Sequence, residues 1–191
     1  ALPKALKCPP PLTFDELIVL GNKGIKIVER LMKISSQNEK RNATISVDDV
    51  TLLAPVLLPP KIVCLGLNYK DHVKEQGKDI PDEPILFMKP RTAIIGPDQP
   101  IIRPKPVKQL DYEVELAIVI GKKGKNIPVS EAKKYIFGYT AFNDISARDI
   151  QFKDKQWTRG KSFDTFAPMG PCITTVNQIE DPNNLSVRTR V

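Results

Sequence analysis

Proline is the residue that most narrows what this chain can become. There are 18 in 191 residues, about twice the ~5% norm. Each one fixes φ and removes a backbone donor, so the apolar sequence is cut into short pieces. Pro59-Pro60 separates the runs Val50–Leu58 and Lys61–Leu65, and further prolines bracket Ile85–Met88 and Ala93–Ile95. Punctuation this dense excludes a helical bundle and favours short strands joined by turns.

The length suits one domain, or one domain with a small appendage. Hydrophobic residues at 41% and charged residues at 27% exclude wholesale disorder. A chain of this size can bury a core without disulfides. Cys8, Cys64 and Cys172 are odd in number and scattered, which excludes a disulfide framework and points to a reducing compartment. A single histidine excludes metal cages that need two imidazoles.

The net charge of +7 is spread along the chain: +2, 0, +3 and +2 over residues 1–50, 51–100, 101–150 and 151–191. A nucleic-acid surface concentrates its charge in a stripe, so a solvated mixed-charge surface is the better reading. No apolar run approaches the ~18 residues of a membrane span. The chain begins without Met and without the apolar core of a secretory signal. A processed or truncated N-terminus and an intracellular location, mitochondrial or cytoplasmic, are expected.

Thr13 with Glu16 three residues on reads as a capping box. The helix it opens is interrupted at Gly21–Gly24, and Ile25, Val28, Leu31 and Met32 resume at helical spacing. A polar linker follows at Ser35–Asn42. Residues 1–50 therefore read as a helical appendage and 51–191 as the main domain. Strands are expected at Val50–Leu58, Lys61–Leu65, Ile85–Met88, Ala93–Ile95, Asp111–Ile120, Phe137–Asp144, Cys172–Val176 and Leu185–Val191. Short helices are expected at Asn68–Gln76 and, capped by Ser130, at Glu131–Ile136. With no βαβ rhythm the class is α+β.

Several residues carry chemistry. Glu113 and Glu115, two apart in a strand, share a face. The opposite face, Tyr112, Val114, Leu116 and Ile118, is apolar, so alternation alone turns the carboxylates to solvent. Two aligned carboxylates can also hold a hard cation, with Asp144 as a third oxygen donor. His72 and Glu75 share a helix face, which suits either a surface pair or an oriented general base. Lys161 follows glycine in a turn; it is a surface lysine or a group that stabilises an oxyanion. Arg148 and Gln151 can clamp a carboxylate. Cys64 sits in an apolar run and reads as core.

Taken together these segments resemble the fumarylacetoacetate hydrolase superfamily, in particular its domain-containing members. The matching stretches are Lys61–Glu75 (KIVCLGLNYKDHVKE), Asp111–Gly121 (DYEVELAIVIG), Gly138–Gln151 (GYTAFNDISARDIQ) and Gln156–Pro171 (QWTRGKSFDTFAPMGP). They occur in family order from about residue 50 onward. The resemblance implies a mixed β-roll with short helices, as a homodimer. It implies Glu113, Glu115 and Asp144 as ligands of Mg²⁺, with Ca²⁺ or Mn²⁺ as alternatives. It implies His72 and Glu75 as a catalytic dyad on a lid segment, Lys161 as the lysine beside the metal, and Arg148 and Gln151 as substrate-site residues.

The activity implied is Mg²⁺-assisted chemistry on a 1,3-dicarbonyl or 2-oxo acid, with the metal stabilising an enolate. Three outcomes stay open: C–C bond hydrolysis, oxaloacetate decarboxylation and oxaloacetate keto–enol tautomerisation. One departure favours the oxaloacetate reactions. Fumarylacetoacetase has a further metal-ligand Asp seven residues before its dyad histidine, where this chain has Leu65. The family domain also continues through a Gly-Thr-Pro segment, so the chain is expected to be cut short at Val191. The competing reading is a catalytically silent binding or scaffold protein. Neither nucleic acid nor membrane is expected as a partner.

Overall fold

The computed structural model describes residues 13–34 and 45–190. The linker at 35–42 and the first twelve residues lie outside the described residues. The first helices are α1 (Phe14–Leu20) and α2 (Asn22–Ile34). Thr13 caps α1 reciprocally: the Glu16 N–H donates to the Thr13 hydroxyl at 3.2 Å, and the Thr13 N–H to the Glu16 carboxylate at 3.3 Å. Gly21, at φ +54°, ends α1. Gly24 does not interrupt α2. A Cβ there would lie 2.7 Å from the Leu17 carbonyl, so its small size lets the two helices approach.

The later elements, in chain order, are β1 (Ile62–Gly66), α3 (Lys70–Glu75), β2 (Ile85–Lys89), β3 (Ile94–Ile95), β4 (Leu110–Asp111), β5 (Val114–Ile120), β6 (Ile136–Asn143), β7 (Ser146–Ala147), α4 (Arg148–Asp154), α5 (Trp157–Gly160), β8 (Ala167–Pro168) and β9 (Thr174–Thr175). β1 and β2 pair antiparallel, with Cys64 opposite Phe87. β5, β6 and β9 form an antiparallel sheet in that order. β3 pairs in parallel with β8, and β4 pairs antiparallel with β7. Mixed short strands and helices in no βαβ rhythm make this an α+β fold.

Several expected elements differ. Residues 50–58 form no strand; Pro55, Pro59 and Pro60 remove the donors a ladder needs. The run Asp111–Ile120 splits at Tyr112–Glu113, because β4 pairs with β7 while β5 pairs with β6. The expected helix at Glu131–Ile136 is a 3₁₀ turn over Val129–Tyr135 that begins after Pro128, with no side-chain cap from Ser130. Ala93 falls in a 3₁₀ turn before β3, and Cys172–Val176 shrinks to β9. Residues 185–190 form no strand; alternation needs a partner edge to become one.

The main core gathers Ala93, Val107, Phe142, Ile145, Ala147, Ile150, Phe166, Ala167 and Met169. Burying a side chain such as Phe166, which is 0% exposed, contributes about 1.5–3 kcal/mol. Phe142, Ile145 and Ala147 flank Asp144 in sequence, so the core clamps the backbone that presents that carboxylate.

Candidate active site

Strand register explains why three distant acids meet. Val114 of β5 pairs with Asn143 of β6, which makes Glu113 and Asp144 the next residues out on each strand. The Asp144 N–H donates to the Glu113 carbonyl at 2.9 Å, and the Glu113 N–H to the Asn143 side-chain oxygen at 3.1 Å. Glu115 lies one residue inside β5. Each of the three carboxylates places an oxygen within 4.8 Å of the other two.

These acids do not face solvent, as alternation alone suggested. Asp144 is 0% exposed and the Glu113 side chain 19%. On the apolar side of the same stretch, Tyr112, Ile118 and Ile120 are the exposed residues. The inversion is sustained by buried cations, since buried charge persists only when paired. Lys161 Nζ donates to Glu113 Oε2 at 2.8 Å, Asp144 Oδ2 at 2.6 Å and Ser146 Oγ at 2.9 Å. Lys89 Nζ donates to the other Asp144 oxygen at 2.6 Å and to the Ile145 carbonyl at 3.1 Å. Arg148 contacts Glu113 Oε1 at 2.5 Å and Asp111 Oδ2 at 2.8 Å, and donates to Gln151 Oε1 at 3.1 Å.

The environments push the acids apart. Burial works to raise Glu113, but Lys161 and Arg148 outweigh it and hold the carboxyl below its ordinary value. Burial, with the Asp144 and Glu113 carboxylates alongside, pushes Glu115 up to about 7 despite a hydrogen bond from Asn68. Burial also lowers the Lys89 ammonium, although Asp144 opposes the shift. The direct partner of Glu115 is the neutral Asn68 amide, at 3.0 Å. Negative charge is therefore least compensated at Glu115. Three converging hard oxygens with residual negative charge fit a divalent cation of the Mg²⁺ or Ca²⁺ kind.

The opposite wall comes from the segment after β1. Leu67 takes up φ +54°, a strained conformation for a branched side chain, and turns the chain into α3. Two bonds pin the start of that helix to β5: Asn68 to Glu115, and the Leu116 N–H to the Tyr69 hydroxyl at 3.0 Å. Beyond them Val73 anchors α3 by burial, at 2% exposed, while its neighbours His72 and Glu75 reach outward. His72 Nδ1 lies 3.6 Å from Glu75 Oε2, beyond hydrogen-bond reach, and the Glu75 side chain is 80% exposed. His72 Nε2 sits 2.6 Å from the Gln76 amide nitrogen.

One cleft is lined by His72, Gln76, Glu113, Arg148, Gln151 and Lys161. Of the site residues singled out in the sequence, Glu75, Glu115 and Asp144 do not line it; Glu113 is the one acid of the cluster that opens onto it. Trp157 and Phe87 close its base edge to face, with centroids 5.6 Å apart. Gly66 makes room for that tryptophan, because a Cβ there would fall 1.9 Å from the indole. Lys161 Nζ lies 4.9 Å from the centre of the Phe87 ring.

Sequence reasoning missed Lys89, Asn68, Asp111, Ser146 and Gln76. Lys89 alone left a signal: it ends an apolar strand two residues after the inward-facing Phe87, so period 2 places it inside. Cys64 is buried as expected. Burial, reinforced by Asp144, raises its thiol to about 12.

Residues 61–191 match the family model described as the fumarylacetoacetate hydrolase C-terminal domain. The chain is 50% identical over 182 residues to a mitochondrial oxaloacetate tautomerase, Fahd2a, of Rattus norvegicus, covering 95% of this chain and 56% of that protein. An uncharacterised protein of Methanocaldococcus jannaschii is 51% identical over 172 residues, covering 90% of this chain and 67% of the relative. Among solved structures, a fumarylacetoacetate hydrolase of Exiguobacterium antarcticum superimposes with a TM-score of 0.69 at 37% identity, covering 88% of this chain and 57% of that one. This chain thus spans little more than half the length of most such relatives. It belongs to the fumarylacetoacetate hydrolase family.

Proposed function

For this member of the fumarylacetoacetate hydrolase family, we propose a divalent-cation-dependent keto–enol tautomerase acting on oxaloacetate or a closely related 2-oxo acid. The observation that carries the reading is the convergence of Glu113, Glu115 and Asp144 within 4.8 Å, beside buried Lys161, with Glu113 and Lys161 opening onto a cleft shared with His72 and Arg148. The tautomerase named among the relatives supports this reaction ahead of C–C hydrolysis and decarboxylation.

Glu113, Glu115 and Asp144 would hold the cation, with Mg²⁺ as the first candidate. When bound, it supplies Lewis-acid polarisation of a dicarbonyl's oxygens. The chain's own groups do the rest. Arg148 and Gln151 orient a substrate carboxylate. His72 removes a proton from the carbon between the two carbonyl groups, with Glu75 as its nearby anion. The electron pair left behind moves onto the ketone oxygen, and Lys161 presents its ammonium to that developing charge. A proton delivered to the oxygen completes the enol. Phe87 and Trp157 keep the floor of the cleft dry.

Residues 51–191 form the catalytic unit in this reading, residues 1–50 an appendage, and the working state is a homodimer in the mitochondrion or cytoplasm. The mitochondrial relatives support the first compartment. Among the described residues, no helix is long and apolar enough to cross a membrane.

The test is a spectrophotometric assay of oxaloacetate enol decay with the full protein, with and without EDTA. Loss of turnover in EDTA, its return with Mg²⁺, and loss in Glu113→Ala are expected. Turnover indifferent to both would sink the reading, and release of pyruvate and CO₂ would reassign it to decarboxylation.

A further inference from the structure

The two ring nitrogens of His72 have contacts that agree on one protonation pattern. Nδ1 faces Glu75 Oε2 at 3.6 Å. An ionised carboxylate only accepts, so the nitrogen turned to Glu75 is the one that carries hydrogen in the neutral ring. Nε2 is then an acceptor, and its partner has to donate. The Gln76 side chain approaches it at 2.6 Å with its amide nitrogen. The carbonyl end of the same amide would set acceptor against acceptor.

The two partners are unequal. Glu75 is beyond hydrogen-bond distance and 80% exposed, where water screens such pairs to a small residue of their strength. Gln76 is half-buried, lines the cleft, and touches the ring directly. It is four residues from His72, where helix geometry places two side chains on one face.

We propose that Gln76 is a positioning residue for His72: its amide fixes the Nδ1–H tautomer and covers the Nε2 lone pair until substrate takes its place. The value of that cover rests on the reading of His72 as the base; the tautomer assignment does not. A lone pair already engaged by an N–H cannot accept a proton from carbon. The base nitrogen is therefore released only by an occupant of the cleft that moves the amide aside.

The chain has one histidine, so a ¹⁵N-histidine-labelled sample gives a single imidazole spin system. In mildly alkaline buffer the wild type is expected as the Nδ1–H tautomer. Gln76→Leu, similar in bulk but without a donor, is expected to shift the ring towards Nε2–H, the form that free histidine prefers. Gln76→Glu keeps the shape and reverses the polarity, and should put a proton on Nε2. A wild-type Nε2–H ring, or one tautomer in all three proteins, would overturn the assignment. The cover is read by acylation of His72 with diethyl pyrocarbonate, expected to be several-fold faster in Gln76→Leu; an unchanged rate would overturn it. Melting curves for each variant show that a native fold is being compared. Turnover that survives His72→Gln would remove the base reading while these two readouts still decide the role of Gln76.

Discussion

Lys161 and His72 line the same cleft from surroundings that have little in common. Lys161 is 2% exposed, bonded to three side-chain oxygens and backed by the core that holds Asp144. The His72 side chain is 33% exposed, on a helix of six residues joined to β5 by hydrogen bonds at its start and seated by the buried Val73. The charged wall is built where movement is costly, because any separation strands a buried ion. Displacing the His72 ring strands no buried ion, since its acidic neighbour Glu75 is 80% exposed. A site that must hold charge still and also admit and release substrate gains from dividing the two tasks in this way.

The contrast can be broken by comparing stability with turnover. Lys89→Met strands one oxygen of Asp144 and the Ile145 carbonyl, and is expected to cost about 3–5 kcal/mol in urea unfolding. His72→Gln should change unfolding by no more than about 0.5 kcal/mol while lowering turnover about 10²–10⁴-fold. Equal stability losses in the two variants would show that the walls are not held differently.

Glu115 sharpens the comparison through pH. Its folded value of about 7 lies above the ordinary 4.5, so the folded state favours the protonated acid. Its contribution to stability is full below the unfolded value and is lost as pH rises through the folded one. The loss is on the order of 1–3 kcal/mol. In EDTA, Glu115→Gln should therefore gain on the wild type between about pH 5 and pH 8. Mg²⁺ should narrow the gap by stabilising the wild type alone. A difference between the two proteins that stays flat with pH would contradict the burial of an uncompensated carboxylate.

Gly66→Ala tests the floor that joins the walls. A methyl there meets the indole of Trp157, and overpacking of this kind costs about 1–3 kcal/mol. The smallest effect concerns Cys64, whose buried thiol stays protonated at neutral pH. Peptide mapping after brief iodoacetamide treatment of the native protein should find exposed Cys172 labelled before Cys64.

What the residues disclosed in advance was local or depended on patterns of residue type. The capping box at Thr13, the strands carrying Cys64 and Phe87, and the β6 segment that ends just before Asp144 follow from spacing. Spacing offered Glu113, Glu115 and Asp144 as one of two readings, and Lys161 joined them only through family resemblance, because nothing in alternation says that Val114 will pair with Asn143. Alternation even pointed the wrong way for the acids. It assigns faces by polarity, whereas here Lys161, Arg148 and Asn68 make the inner face the better place for carboxylates. Asn68 and Gln76 were illegible for a related reason: an amide shows no preference until its partners are in place. The strand expected at Leu185–Val191 does not form over 185–190, where no edge among the described residues receives it.

The indole against Gly66 has a practical consequence. Trp157 is the chain's sole tryptophan, it lines the cleft, and its ring meets the edge of Phe87. Fluorescence excited at the red edge of the ultraviolet band therefore comes from one indole at the floor of the cleft. Changes in its emission colour or its accessibility to iodide report filling and emptying of the cleft in real time, with no dye attached and no residue replaced.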